Sequence, residues 1–159
     1  MILRPYQEQM VSKAVAALKK HGDTLAVAPT GAGKTVLLSA LAGRVGGKQL
    51  ILQHRDELTF QNAKKYREVN PRVRVGMFNA DIKDWKGDAT FAMVQTLCRD
   101  RALSTIPKLD LLVIDEAHHA VAPSYRKVVD AVRDKNPDCR IFGVTATPAR
   151  GDGKGLRHI

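Results

Sequence analysis

The sequence predicts an α/β domain: a mostly parallel sheet with helices on both faces. Three observations point there. Short apolar runs alternate with longer amphipathic stretches, the order expected when each strand is followed by a helix that covers it. The run Leu109–Ile114 is nearly all apolar, as a central strand buried on both sides requires. A glycine-bearing segment, Ala28-Pro29-Thr30-Gly31-Ala32-Gly33-Lys34-Thr35, lies between a strand-like run and a helical one.

Taken in order, Met10, Val11, Ala14, Val15 and Leu18 form a first helical stripe. Strands are expected over Thr24–Ala28, Gln49–Gln53, Arg72–Phe78, Ala89–Val94, Leu109–Ile114 and Arg140–Val144. Val36, Leu37, Ala40 and Leu41 predict a helix that ends near Gly46-Gly47. Tyr125, Val128, Val129 and Val132 predict another that stops before Pro137. The Gly-rich, basic stretch Arg150–Ile159 has no periodicity and reads as a loop.

At 159 residues the chain is long enough for one domain with a real core. Its 44% hydrophobic and 26% charged residues exclude a disordered chain. Lys and Arg number 26 against 16 Asp and Glu, a formal charge of +10, which favours a polyanionic partner such as nucleic acid. The densest basic group, Lys64, Lys65, Arg67, Arg72 and Arg74, reads as a solvated helix face. Cys98 and Cys139 fit neither a disulfide framework nor a zinc spacing. No apolar run approaches a membrane span, and the first residues lack a signal-peptide core. A reducing, cytoplasmic compartment and no membrane partner are therefore expected.

The Gly-Lys-Thr segment suits a phosphate loop. Gly31 and Gly33 permit turns that a side chain would block, so successive N–H groups converge on phosphate oxygens. A helix starting at Lys34 adds its positive end. Pro29, Thr30 and Ala32 complete the loop, Lys34 is expected at the terminal phosphates, and the Thr35 hydroxyl on magnesium. The strict pattern opens on Gly, where this chain has Ala28.

Asp115 and Glu116 directly follow the apolar run. At the carboxyl end of a parallel strand they face the ligand crevice. Asp115 is expected to support the magnesium and Glu116 to orient an attacking water. Phosphoryl transfer rests on positioning and charge neutralisation, so few residues suffice. Lys34, Asp115 and Glu116 are therefore the candidate catalytic residues, with ATP and Mg²⁺ as cofactors. His118 is expected to bond toward the next strand, and His119 to be a surface or packing residue.

In this order the motifs resemble those of the first RecA-like domain of superfamily 2 DEAD/DEAH-box helicases, a P-loop NTPase fold. The relaxed Ala28 start is common in helicase-type loops. Leu3-Arg4-Pro5-Tyr6-Gln7 resembles the family's adenine-reading motif, which implies that Gln7 contacts the base. His54-Arg55-Asp56-Glu57-Leu58 and Val94-Gln95-Thr96-Leu97 resemble two segments that touch the nucleic-acid backbone. That resemblance implies contact roles for Arg55, Gln95 and Thr96. Thr145-Ala146-Thr147-Pro148 resembles the motif coupling hydrolysis to domain movement, which assigns His118, Thr145 and Thr147 to coupling. In the family its strand lies between the phosphate-loop and acidic-box strands. The ending and the Leu-Arg-Pro-Tyr-Gln start are closest to restriction-type and repair-type translocases, which favours DNA over RNA.

The resemblance implies an ATP-binding motor domain over residues 1–150, a Gly-rich connector over 151–159, and no second RecA-like domain. The family places ATP between two such domains, so a second one on another chain is an expected partner. Two other functions compete: a non-hydrolysing nucleotide- or nucleic-acid-binding module, and the motor part of a restriction-type nuclease. Gly151-Asp152-Gly153-Lys154-Gly155 lacks a Lys-Thr pair and a following helix, and reads as connector rather than a second phosphate site.

Overall fold

Helix α1 (Pro5–His21) leads into strand β1 (Asp23–Val27), and the phosphate-loop segment separates β1 from α2 (Lys34–Val45). There follow β2 (Gln49–Gln53), α3 (Asp56–Val69), β3 (Val75–Phe78) and β4 (Ala89–Met93). Two short helices, α4 (Val94–Leu97) and α5 (Asp100–Leu103), precede β5 (Leu111–Asp115). A 3-10 turn (Ala117–His119), α6 (Pro123–Lys135), β6 (Arg140–Thr145) and β7 (Leu156–Arg157) complete the order. The computed structural model describes residues 3–28, 33–54, 56–145 and 156–157.

The strands form one sheet in the order β3-β4-β2-β5-β6-β1-β7. Every pairing is parallel except that of β7 with β1. The β6 strand lies between β1 and β5, as the resemblance implied. Alternation along β5 divides the core. Leu111 and Val113 join the cluster under α1, α2 and α3, while Leu112 and Ile114 join the one under α4 and α6. A strand covered on both faces cannot alternate apolar with polar, which is why this run is nearly all apolar. The α6 stripe buries Tyr125, Val128, Val129 and Val132, with Pro123 in the first turn where its missing N–H costs nothing.

Some predicted boundaries shift. The third strand begins at Val75, not Arg72, because residues 71–74 form a turn. There the Val73 N–H bonds Asn70 O at 3.1 Å and the Arg74 N–H bonds Asp88 Oδ2 at 3.2 Å. The fourth strand ends at Met93, and Val94 opens α4. The central strand is Leu111–Asp115, because the Asp110 carboxylate turns aside to accept the Lys48 N–H at 2.8 Å. In the tail read as a loop, Leu156–Arg157 pairs with β1. Lys64 and Arg67 do lie exposed on α3, whereas Arg72 and Arg74 belong to the turn.

A candidate nucleotide site at the carboxyl edge of the sheet

Parallel pairing brings the carboxyl ends of β1, β2, β5 and β6 to one edge, where α/β sheets place their ligands. Gly33 caps α2 with φ +76°, a left-handed conformation that glycine adopts at no steric cost. A Cβ at this position would lie 2.9 Å from Gln7 Nε2. The Gln7 side chain therefore packs directly on the loop's exit, buried, with its Oε1 accepting the Arg4 N–H at 2.9 Å.

Lys34, the first residue of α2, crosses to the end of β5. Its Nζ lies 2.7 Å from Asp115 Oδ1 and also bonds Glu116 Oε1. Burial works against the Lys34 charge. The hydrogen bonds and charges of Asp115 and Glu116 outweigh it and hold the ammonium pKa above the ordinary lysine value. For Glu116 burial again opposes the charged form, but the Lys34 hydrogen bond and charge, helped by His118 and His119, hold the carboxyl below its ordinary range. Among the described residues Glu116 is the one non-glycine with positive φ, at 57°. The Asp115 carboxylate accepts the Glu116 N–H at 2.9 Å and locks this turn. Non-glycine residues in that region are uncommon and cluster at functional sites.

The sequence did not single out Asn62. From α3 it accepts the Thr35 hydroxyl proton on Oδ1 at 3.1 Å. Its Nδ2 donates to Gln53 Oε1 at 2.8 Å and reaches Asp115 Oδ2 at 3.4 Å. One amide thus joins the two predicted magnesium-holding residues. The only available sequence signal was the Thr59, Ala63, Tyr66 stripe that buries one face of α3, and it is too weakly apolar to stand out.

The acidic box also touches its neighbours. His118 Nδ1 lies 3.1 Å from Thr145 Oγ1 at the end of β6, the expected link to the next strand. His119 packs, as expected: its ring stacks on His54 at 4.4 Å between centroids and lies 4.2 Å from that of His118. The Tyr125 hydroxyl is buried nearby. Burial and the charges of Asp115 and Glu116 push its pKa far above the phenol range.

Gln7, Gly33, Lys34, Thr35, Asp115, Glu116, His118 and Thr145 thus gather at one sheet edge. Gln95 and Thr96 stand apart on α4, Gln95 exposed and Thr96 half-buried. Pro29, Thr30, Gly31, Ala32, Arg55 and Thr147 lie outside the described residues. Among the described residues no group of three His, Cys, Asp or Glu could hold a metal by itself. Thr35 and Asp115 offer two hard oxygen donors, which suits a cation that takes its other ligands from phosphates and water. Magnesium binds in that way, so the residues fit it.

The fold is that of a RecA-like domain, with Lys34, Thr35, Asp115 and Glu116 together at the carboxyl edge of its sheet. The chain belongs to the family described as type III restriction enzyme, res subunit, whose model matches residues 1–150. It is 33% identical to the candidate ATP-dependent helicase IRC3 of Saccharomyces cerevisiae, over 99% of this chain and 25% of that protein. It is 36% identical to the candidate mitochondrial ATP-dependent helicase irc3 of Schizosaccharomyces pombe, over 97% of this chain and 27% of that one. The Pyrococcus furiosus Hef helicase domain superposes with a TM-score of 0.74 at 26% identity, over 92% of this chain and 33% of that one. The chain spans about a quarter of the length of these curated relatives. It corresponds to the N-terminal RecA-like domain of superfamily 2 helicases.

Proposed function

We propose that the chain is the ATP-binding lobe of an ATP-dependent nucleic-acid helicase or translocase, completed by a second RecA-like domain. The observation that carries this reading is the Lys34 ammonium seated between Asp115, at 2.7 Å, and Glu116. It brings the phosphate loop and the acidic box into one site.

Thr35 and Asp115 would hold magnesium, which when bound supplies charge neutralisation at the terminal phosphates. Lys34 exchanges its carboxylate partners for the same phosphates. Glu116, freed by that exchange, accepts a hydrogen bond from the attacking water and orients it. Thr30, Gly31, Ala32 and Gly33 present N–H groups to the phosphates, Pro29 fixes the backbone where the loop begins, and Gln7 reads the adenine edge with an amide that both donates and accepts. His118, Thr145 and Thr147 carry the change to the nucleic-acid segments, where Arg55, Gln95 and Thr96 hold the backbone.

DNA is favoured over RNA, because the family description is that of a restriction enzyme subunit. The same description supports a second reading, the motor part of a nuclease. The domain proper is residues 1–150, with 151–159 a connector that lends Leu156–Arg157 to the edge of the sheet beside β1. Among the described residues no helix is long and apolar enough to cross a membrane. The free Cys98 and Cys139 suit a reducing compartment such as the cytoplasm.

Steady-state ATP turnover with and without single-stranded DNA tests the reading. An arginine supplied from a second domain raises turnover by ~10³–10⁵. The 159-residue chain is therefore expected to bind Mg·ATP and turn it over very slowly. Brisk DNA-stimulated turnover by the monomer would contradict the need for a second lobe.

A further inference from the structure

A cavity of about 410 Å³ opens beside α4, away from the nucleotide site. That volume lies within the range of small-ligand pockets. Phe78, Trp85 and Ala102 supply apolar lining, with the two rings 5.1 Å apart and inclined by 37°. The indole is fixed: Trp85 Nε1 donates to Thr105 Oγ1 at 3.0 Å, and Thr105 in turn donates to Ala102 O at 2.7 Å. Its ring stays only half-buried.

Lys83, Arg99 and Arg101, all exposed, add three cations to the lining. The Lys83 Nζ sits 5.4 Å from the Phe78 ring centroid. Among the described residues neither arginine forms an ion pair. The acidic residue between them, Asp100, is paired at 3.1 Å with Lys127 instead. The lining is thus aromatic and positively charged, and Thr96 forms part of it.

We infer that this cavity receives an unstacked base of a single-stranded nucleic acid, with the flanking phosphates on Lys83, Arg99 and Arg101. Aromatic faces stack on any base, and surrounding cations track the backbone on either side of it. A neutral apolar ligand would leave Arg99 and Arg101 without an anionic partner, whereas the Lys83 ammonium also donates to Asn79 O and, at 2.8 Å, to Ala80 O. A phosphate alone would leave the aromatic surface unused. The inference rests on the reading of the domain as a nucleic-acid binder and adds a base contact to the backbone contact proposed for Thr96.

Trp85 is the single tryptophan of the chain, so its fluorescence reports on the cavity. The experiment titrates the chain with an oligothymidylate and with an abasic deoxyribose-phosphate oligomer of equal length. Stacking predicts that the oligothymidylate quenches Trp85 and binds roughly fivefold or more tightly than the abasic oligomer. Ala102→Phe, which fills the cavity, should abolish the quench and equalise the two affinities, with abasic binding unchanged. The wild-type comparison decides the matter even if that variant does not fold. Equal affinities without quenching overturn the base pocket and leave the nucleic-acid reading standing. No binding of either oligomer overturns both. Quenching by a Glu-rich peptide, where the oligothymidylate has no effect, reassigns the cavity to a protein partner.

Discussion

The Thr35 hydroxyl donates its proton to Asn62 Oδ1 at 3.1 Å, in a site where both residues reach Asp115 through one amide. With the proton used in this way, the lone pairs of Thr35 are left for a cation. Asn62→Ala should weaken the magnesium-dependent part of ATP binding roughly fivefold, the worth of one hydrogen bond of about 1 kcal/mol. Binding of magnesium-free ATP should barely change. Nucleotide titrations across a magnesium series distinguish this from general damage, which would weaken both forms alike.

Lys34 and Glu116 predict a pH-dependent stability. Glu116 is held below its ordinary pKa, so its contribution is present above the ordinary glutamate value and is lost as pH falls through the lowered one. Lys34 is held above its ordinary pKa, so its contribution is present below the ordinary lysine value and lost as pH rises through the raised one. Lys34→Met leaves Asp115 and Glu116 side by side without their cation. Urea unfolding should find this variant less stable than wild type at neutral pH, with the gap narrowing in acid. A gap independent of pH would mean that the pair contributes packing alone.

Backbone conformation at Glu116 predicts a contrast between two variants that both lose the carboxylate. With φ at 57°, any residue bearing a Cβ is strained, whereas glycine is not. Glu116→Gly should therefore be more stable than Glu116→Ala by about 1 kcal/mol, despite glycine's greater freedom when unfolded. Equilibrium denaturation of the two reads this directly. Glu116→Gln should bind ATP about as well as wild type and lose what turnover there is.

His118 and Thr145 join the acidic box to the end of β6 at 3.1 Å. Thr145→Val keeps the shape and removes the hydroxyl. ATP affinity should hold, while the shift in single-stranded DNA affinity between ATP-bound and ATP-free protein shrinks toward none. A full shift in the variant would remove this contact from the coupling route.

Much of this was legible in the chain because the parallel sheet writes its strands as separate apolar runs. The clearest is the run Leu109–Ile114, followed directly by Asp115 and Glu116, which folds as the strand Leu111–Asp115. The α6 stripe was legible because three valines and a tyrosine recur against a strongly polar face. Asn62 was not, because α3 buries Thr59, Ala63 and Tyr66, a face with little contrast to the rest of the helix. The turn at 71–74 depends on the side chain of Asp88, and the His54–His119 stack joins residues 65 positions apart in the chain (119 − 54). Such contacts exist only once the sheet has closed. The aromatic cavity likewise needs β3, the segment after it and α5 brought together, which no local pattern announces.

Lys34, Thr35, Asp115 and Glu116 are proposed to form one Mg·ATP site. Calorimetric titration of wild type and Lys34→Ala with ATP, with and without magnesium, tests it most directly, because binding requires no second lobe. Magnesium should enhance binding by wild type, and the variant should lose roughly tenfold or more, on the scale of a charge-assisted contact. Equal affinities for the two proteins would contradict it.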